Sequence, residues 1–203
     1  MIDRRMLLAG VLAVGSAALT GCAGFGGASP LDTFDFSTPA PAGKPGPSGH
    51  LQVLVADPVA DRSLDTDRIV VRSGENEISV YAGVQWADRL PRLVQSRLVA
   101  ALDASGRVRA AARPGQGMAA DRQLLTEIRT FEYRPAERRV VVSLAVKAMD
   151  DRSGRIVAAA VLAGDEPVSG DVGSAVTGAF DRLLARLVAE AVALAARKGR
   201  WAR

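Results

Sequence analysis

Few side chains in this 203-residue chain could carry reaction chemistry. His50 is its single histidine, so a Ser-His-Asp triad or a histidine-based metal centre lacks material. Asp57, Asp61, Asp65 and Asp67 gather carboxylates in one stretch. Their spacing lacks the Asp-x-Asp-x-Asp-Gly run and closing glutamate of a calcium loop, which leaves turn caps and solvated loop charges. Gly24-Phe25-Gly26-Gly27 and Gly115-Gln116-Gly117 lack the following Lys-Ser/Thr that a phosphate-cradling loop needs. Asp150 and Asp151 fall at a hairpin tip, where paired aspartates form turns. Nothing here couples a nucleophile to a base, and the expectation is a protein that is not an enzyme, with no cofactor and no metal.

The remaining reactive group is the thiol of Cys22, the single cysteine, in Leu19-Thr20-Gly21-Cys22. Charged Asp3, Arg4 and Arg5 precede an uncharged apolar stretch from Met6 to Leu19. Fourteen residues fall short of the roughly 20 needed to span a bilayer, so residues 1–21 read as a signal peptide. Leu-Thr-Gly-Cys resembles the bacterial lipobox, in which a sulfur nucleophile forms a thioether to diacylglycerol and cleavage leaves the cysteine first. A lone cysteine in an exported chain has no intramolecular disulfide partner, which fits this use. Covalent lipid on Cys22, with palmitate-type acyl chains, is therefore expected. Ala23 stands where an aspartate would retain a lipoprotein at the inner membrane, so the expected location is the periplasmic face of the outer membrane. Arg4-Arg5 loosely resembles a twin-arginine export signal as well as an ordinary n-region.

Composition fits a folded domain: 48% hydrophobic and 24% charged residues, net charge +4. Without Asp3, Arg4 and Arg5 the balance is +3, spread along the chain. No basic cluster is interleaved with aromatic residues in the manner of single-strand binders, and a periplasmic lipoprotein meets no nucleic acid.

Residues 22–49 read as a lipidated tether, since Pro39 to Gly49 holds four prolines and three glycines. Within it, Leu31 to Phe36 alternates apolar and polar residues and could dock as an edge strand. A single domain over 50–203 follows. Strands are expected at Leu51–Ala56, Arg68–Arg72, Glu77–Ala82 and Arg107–Ala112. From Trp86 the apolar period becomes helical through Leu90, Leu93, Val94, Leu98 and Leu102. Pro91 sits in the first turn and Gly106 is the stop. Gln123 to Tyr133 alternates with a mixed phase that predicts a bulge or burial on both sides. Val140–Met149 and Arg155–Leu162 predict a long hairpin, and a final helix runs from Asp171 to about Lys198. Its apolar stripe is Val176, Phe180, Leu183, Leu184, Leu187, Ala191 and Leu194, with Arg182, Arg186 and Glu190 on the solvent side. Grouped strands and two amphipathic helices predict an α+β, two-layer fold with a mainly antiparallel or mixed sheet.

Two stretches resemble a known family. Tyr81, then Trp86-Ala87-Asp88-Arg89-Leu90-Pro91, is similar to the Tyr-x4-Trp-x3-Leu-Pro helix opening of the ABC-type transport auxiliary lipoproteins. Glu127-Ile128-Arg129-Thr130-Phe131-Glu132 resembles their Glu-Ile-Arg-x-Phe-Glu strand. The resemblance implies a non-catalytic auxiliary component of an ABC/MCE-type intermembrane lipid transport system, supporting membrane integrity. Its implied partners are a periplasmic MCE-domain protein with its ABC transporter, outer-membrane lipid through Cys22, and further copies of itself. Tyr81, Trp86, Glu127, Arg129 and Phe131 become candidates for a partner or oligomer interface, with Tyr81 and Trp86 serving equally as core residues at the helix start. Two other classes remain open: a lipopolysaccharide-assembly type lipoprotein, which would lack the Tyr81, Trp86 and Phe131 constellation, and a periplasmic carrier of hydrophobic ligands.

Cys22→Ala should leave the chain unprocessed and unanchored, because stable membrane attachment requires more than one acyl chain at about 0.8 kcal/mol per buried CH₂. Intact-mass measurement of the membrane-extracted protein decides it, and an unmodified Cys22 would remove the localisation.

Overall fold

The computed structural model describes residues 30–39, 49–170 and 172–197. Cys22, the expected signal peptide, residues 22–29 and residues 40–48 lie outside the described residues. The elements run β1 (Asp32–Phe34), β2 (Gln52–Val55), β3 (Val59–Ala60), β4 (Val70–Arg72), β5 (Ile78–Val80) and β6 (Val84–Trp86). After these come α1 (Leu90–Ala104), β7 (Ala110–Ala112), β8 (Arg122–Arg134), β9 (Arg139–Asp150), β10 (Ile156–Pro167) and α2 (Gly173–Ala195). The α+β class is as expected, with a mixed sheet carrying both helices.

The 13 residues of β8 are the spine of that sheet. One edge pairs antiparallel with β9 along its whole length, from Arg122 opposite Asp150 to Arg134 opposite Arg139. The other edge is tiled end to end by three short parallel strands, β2, β3 and β4. β5 adds to β4 as a hairpin, and β7 adds to β2. The predicted bulge lies between Ile128 and Thr130. Before it, Leu124, Thr126 and Ile128 point inward; after it, Phe131 and Tyr133 do, and all five are buried. A strict alternation would have turned one of these sets to solvent.

Both helices pack on the inner face. α2 buries Val176, Phe180, Leu183, Leu184, Leu187, Ala191 and Leu194, while Arg182, Arg186 and Glu190 stay exposed. The exposed arginines do not pair along the helix: Arg182 and Arg186 both donate to Glu166 on β10, clamping α2 to the sheet. Gly173 opens α2 against β6, where a Cβ would approach Val84 Cγ1 to 2.3 Å. At the other end, Arg122 donates from Nη1 to the carbonyls of Ala195 and Arg197, both at 2.6 Å. A buried guanidinium thus satisfies acceptors that every helix C-terminus leaves open, and does so at the negative end of the helix dipole.

Two local expectations change. Trp86 ends strand β6 and does not begin the helix, because its N–H donates to Asp67 O at 2.7 Å and Ala87 N–H donates to Phe34 O at 2.7 Å. Strand pairing overrides a helical spacing here, and α1 starts four residues later, with Leu90 N–H held by Thr66 O at 3.0 Å and Pro91 in its first turn. Gly106 takes φ +62° just beyond α1, the left-handed stop that the glycine predicts. The Leu31–Phe36 alternation does dock: β1 pairs in parallel with β6, Phe36 lies 4.9 Å from Trp86, and Ser37 donates to Asp181 through both N and Oγ. The compact unit accordingly begins at Leu31, where 50 was expected as the domain start.

Two measurements follow from this packing. Trp86→Ala should cost about 3–5 kcal/mol in urea unfolding, since a large buried aromatic leaves a cavity. A loss below about 1 kcal/mol would mean that its neighbours collapse into the space. Limited proteolysis should yield a resistant core that retains Leu31 to Pro39, whereas a core beginning at His50 would show that β1 adds nothing to stability.

Candidate functional site

The expected interface residues divide into two environments. Trp86 and Phe131 are each 2% exposed and belong to the inner core. Phe131 stacks on Phe180 of α2 with centroids 4.5 Å apart and planes 8° from parallel. Trp86 meets both rings edge-on, at 6.1 Å from Phe131 and 5.7 Å from Phe180, and Phe36 closes the cluster against Trp86. Neither residue presents a surface to a partner; their role is to join β1, β6, β8 and α2. Tyr81 is half-buried beside β5, its ring 5.9 Å from that of Tyr133 on β8.

Glu127 and Arg129 are exposed on the outer face of β8 and pair with each other at 3.2 Å. They rank as solvated cross-sheet charges in this chain, worth well under 1 kcal/mol to the monomer. Their surroundings are less ordinary. Glu127 lies opposite Ala145, which lies opposite Val161; Leu125 lies opposite Lys147, which lies opposite Ala159. Both helices are on the other side, so this face presents Ala159 and Val161, with Leu125 half-buried and Ala145 buried, beside Glu127, Arg129 and Lys147. Val161 is 56% exposed. The face runs out to β10, whose far edge carries no neighbouring strand among the described residues and no charged residue from Ile156 through Gly164.

Charge is locked elsewhere. Glu132 is buried between Arg72, whose Nε donates at 2.7 Å, and Arg134, whose Nε donates at 3.0 Å. The hydrogen bond to Glu132 pushes the Arg134 guanidinium further up from its ordinary range. Hydrogen bonds from Arg186, then Arg182, hold the Glu166 carboxyl below the usual carboxylate range. The aspartates read as turn formers behave accordingly. Asp150 accepts from Ser153 N–H and Oγ, which lowers its pKa, and Asp151 accepts from Gln123 Nε2. Asp57 accepts from Gln95 Nε2 at 2.7 Å, fastening the end of β2 to α1. His50 is exposed where the chain enters β2. Among the described residues no group of three or more His, Cys, Asp or Glu side chains could hold a metal ion, and no helix is long and apolar enough to cross a membrane.

Two buried arginines escaped the sequence reading. Arg122 opens a strand at an inward position, and Arg97 sits within the apolar stripe of α1, three residues after Val94 and four after Leu93. Each is 7% exposed. The signal for Arg97 was its place in the helical period, where a charge interrupts an otherwise apolar face.

Comparison with known proteins agrees with this architecture. A protein of Xanthomonas campestris of known crystal structure is 27% identical and superposes with a TM-score of 0.74, covering 82% of this chain and 96% of that one. A second, uncharacterised protein shares the fold at 15% identity with a TM-score of 0.61. An uncharacterised protein of Bradyrhizobium diazoefficiens is 30% identical over 171 residues, and the chain spans about half of that relative's length, 46%. The family model of the ABC-type transport auxiliary lipoprotein component matches residues 34–192, from the end of β1 almost to the end of α2, and the chain belongs to that family.

Proposed function

We propose that this protein is the lipid-anchored, non-catalytic auxiliary component of an ABC/MCE-type intermembrane lipid transport system. The family match over residues 34–192 carries the transport role. Leu19-Thr20-Gly21-Cys22, with Ala23 after it, supports acylation at Cys22 and residence on the periplasmic face of the outer membrane. Outer-membrane lipid is then reached through Cys22, while the folded unit faces a periplasmic MCE-domain protein.

The mating surface is the outer sheet face and the open edge of β10. An unpaired strand edge is ordinarily guarded by lysine, proline or a bulge, because it templates further pairing. β10 has a bulge only at its start, between Ile156 and Ala158. It then runs to Gly164 without a charge before Asp165 and Glu166, so its middle suits an edge that is covered in the working assembly. Copies of this chain arranged in a closed ring around an MCE partner would cover such edges symmetrically. Glu127 and Arg129 at the border of the face would set the register of docking.

Capture from an envelope extract with the full-length chain tests this reading. An MCE-domain protein should be retained, and the charge reversals Glu127→Lys and Arg129→Glu should each weaken retention about tenfold while leaving thermal unfolding within a degree or so. Retention of an outer-membrane barrel in place of an MCE protein would favour the lipopolysaccharide-assembly reading. Unchanged retention by both reversals would remove the outer face of β8 from the interface.

A further inference from the structure

A groove of about 510 Å³ lies between α1 and α2. Its walls are small and apolar: Ala101 and Ala104 from α1, and Ala185, Val188, Ala189 and Val192 from α2. Alanines where two helices pass leave a channel that leucines would fill. The volume falls in the range of about 300–1,000 Å³ usual for small-molecule sites. Ser37, Thr38 and Pro39 border one end and Ser105 with Arg107 the other.

Arg97 lines this groove and is itself 7% exposed. Its Nη1 has no hydrogen-bond partner, and its Nη2 stands 3.7 Å from Asp181 Oδ1, beyond hydrogen-bond length. That carboxylate is already engaged by Ser37, at 3.0 Å from N and 2.6 Å from Oγ. A guanidinium cannot escape burial by losing its proton, and an unsatisfied buried donor is costly. Arg122 makes the contrast: it is just as deeply buried, but its Nη1 donates to two carbonyl oxygens. The groove therefore combines an apolar channel with an under-satisfied cation, and the exposed Arg107 adds a second positive charge at its rim.

We propose that the groove between α1 and α2 binds a single-chain anionic lipid, with the acyl chain along the alanine-lined walls and the headgroup oxygens on Arg97. A neutral apolar ligand would leave Nη1 without a partner, and a small inorganic anion would leave the channel empty. One acyl chain with one anionic headgroup uses both. The proposal deepens the lipid-transport reading by naming the cargo class, and it stands on the groove itself and not on the outer sheet face.

The test is a titration of the full-length chain, in neutral detergent micelles, with the fluorescent fatty acid cis-parinaric acid. Saturable binding at one equivalent per chain is expected, and the uncharged parinaryl alcohol should bind about tenfold more weakly. Arg97→Gln should lose the preference for the acid. Ala189→Phe, at an exposed lip of the groove, should weaken the acid and the alcohol alike by about tenfold, because it fills the channel without touching Arg97. Matching circular dichroism melts guard against reading misfolding as lost binding. Equal affinity for acid and alcohol in the wild type, or undiminished binding in Ala189→Phe, overturns the proposal. Displacement by palmitate but not lysophosphatidylglycerol would assign the headgroup as a carboxylate; the reverse would assign it as a phosphate. Acid binding that persists when no MCE protein is captured leaves this site intact and removes only the transport reading.

Discussion

Phe131 stacked on Phe180, with Trp86 and Phe36 against them, is the contact on which the rest of the molecule depends. The chain has a single cysteine, so no internal disulfide is available to bind remote segments together. Four aromatic rings from β6, β8, α2 and the stretch after β1 take that role. Edge-to-face and offset contacts of this kind add about 0.5–1.5 kcal/mol each beyond the area they bury. The bulge after Ile128 is what allows Phe131 to face inward, and without that extra residue the second half of β8 would turn its aromatic residues to solvent. The same irregularity sends Glu132 to the outer face, where Arg72 and Arg134 must hold it. A single local insertion thus sets the core, the ion network and the orientation of α2.

Periodicity carried far in this chain, and its failures have identifiable causes. The stripe of α2 was legible because seven apolar residues repeat over 23 helical positions with arginines opposite. The mixed phase in β8 was compatible with a bulge or with burial on both sides, and the register places a bulge between Ile128 and Thr130. β3 and β6, with two and three residues, are too short to produce a pattern of their own. They are strands because β8 and β1 offer them a ladder, which is tertiary information. Trp86 fitted the helical spacing by coincidence, since a buried residue four positions before Leu90 is compatible with either element.

The functional surfaces follow the same division. Alternation puts Glu127 and Arg129 in phase with Phe131, and only the bulge leaves the two charges exposed while Phe131 turns inward. What alternation could not supply was the neighbourhood. Ala145 and Val161 become their neighbours only through the registers of β9 and β10, and the edge of β10 is open because no strand among the described residues pairs beyond it. An exposed, uncharged strand edge is a hazard for a free monomer. In the proposed assembly, that edge would be removed from water by a neighbouring copy or partner.

Arg97 was hidden for a different reason. Arginine has a long aliphatic stem, so at one position of an apolar helix stripe it is usually read as a side chain that snorkels to the surface. Asp181 and the Ser37–Pro39 segment prevent that escape by lying over the groove end of α1. Burial of the guanidinium therefore depends on the docking of residues 31–39, the same segment whose Phe36 completes the aromatic cluster. The docked position of residues 31–39 and the shape of the groove between the helices are thereby linked through one short stretch of chain. A ligand that satisfied Arg97 would stabilise the docked position of that stretch by mass action, because it binds the state in which the site is formed. The arrangement needs no hinge and no second conformation of the sheet. It needs only that Ser37, Thr38 and Pro39 border the groove while Phe36 completes the aromatic cluster.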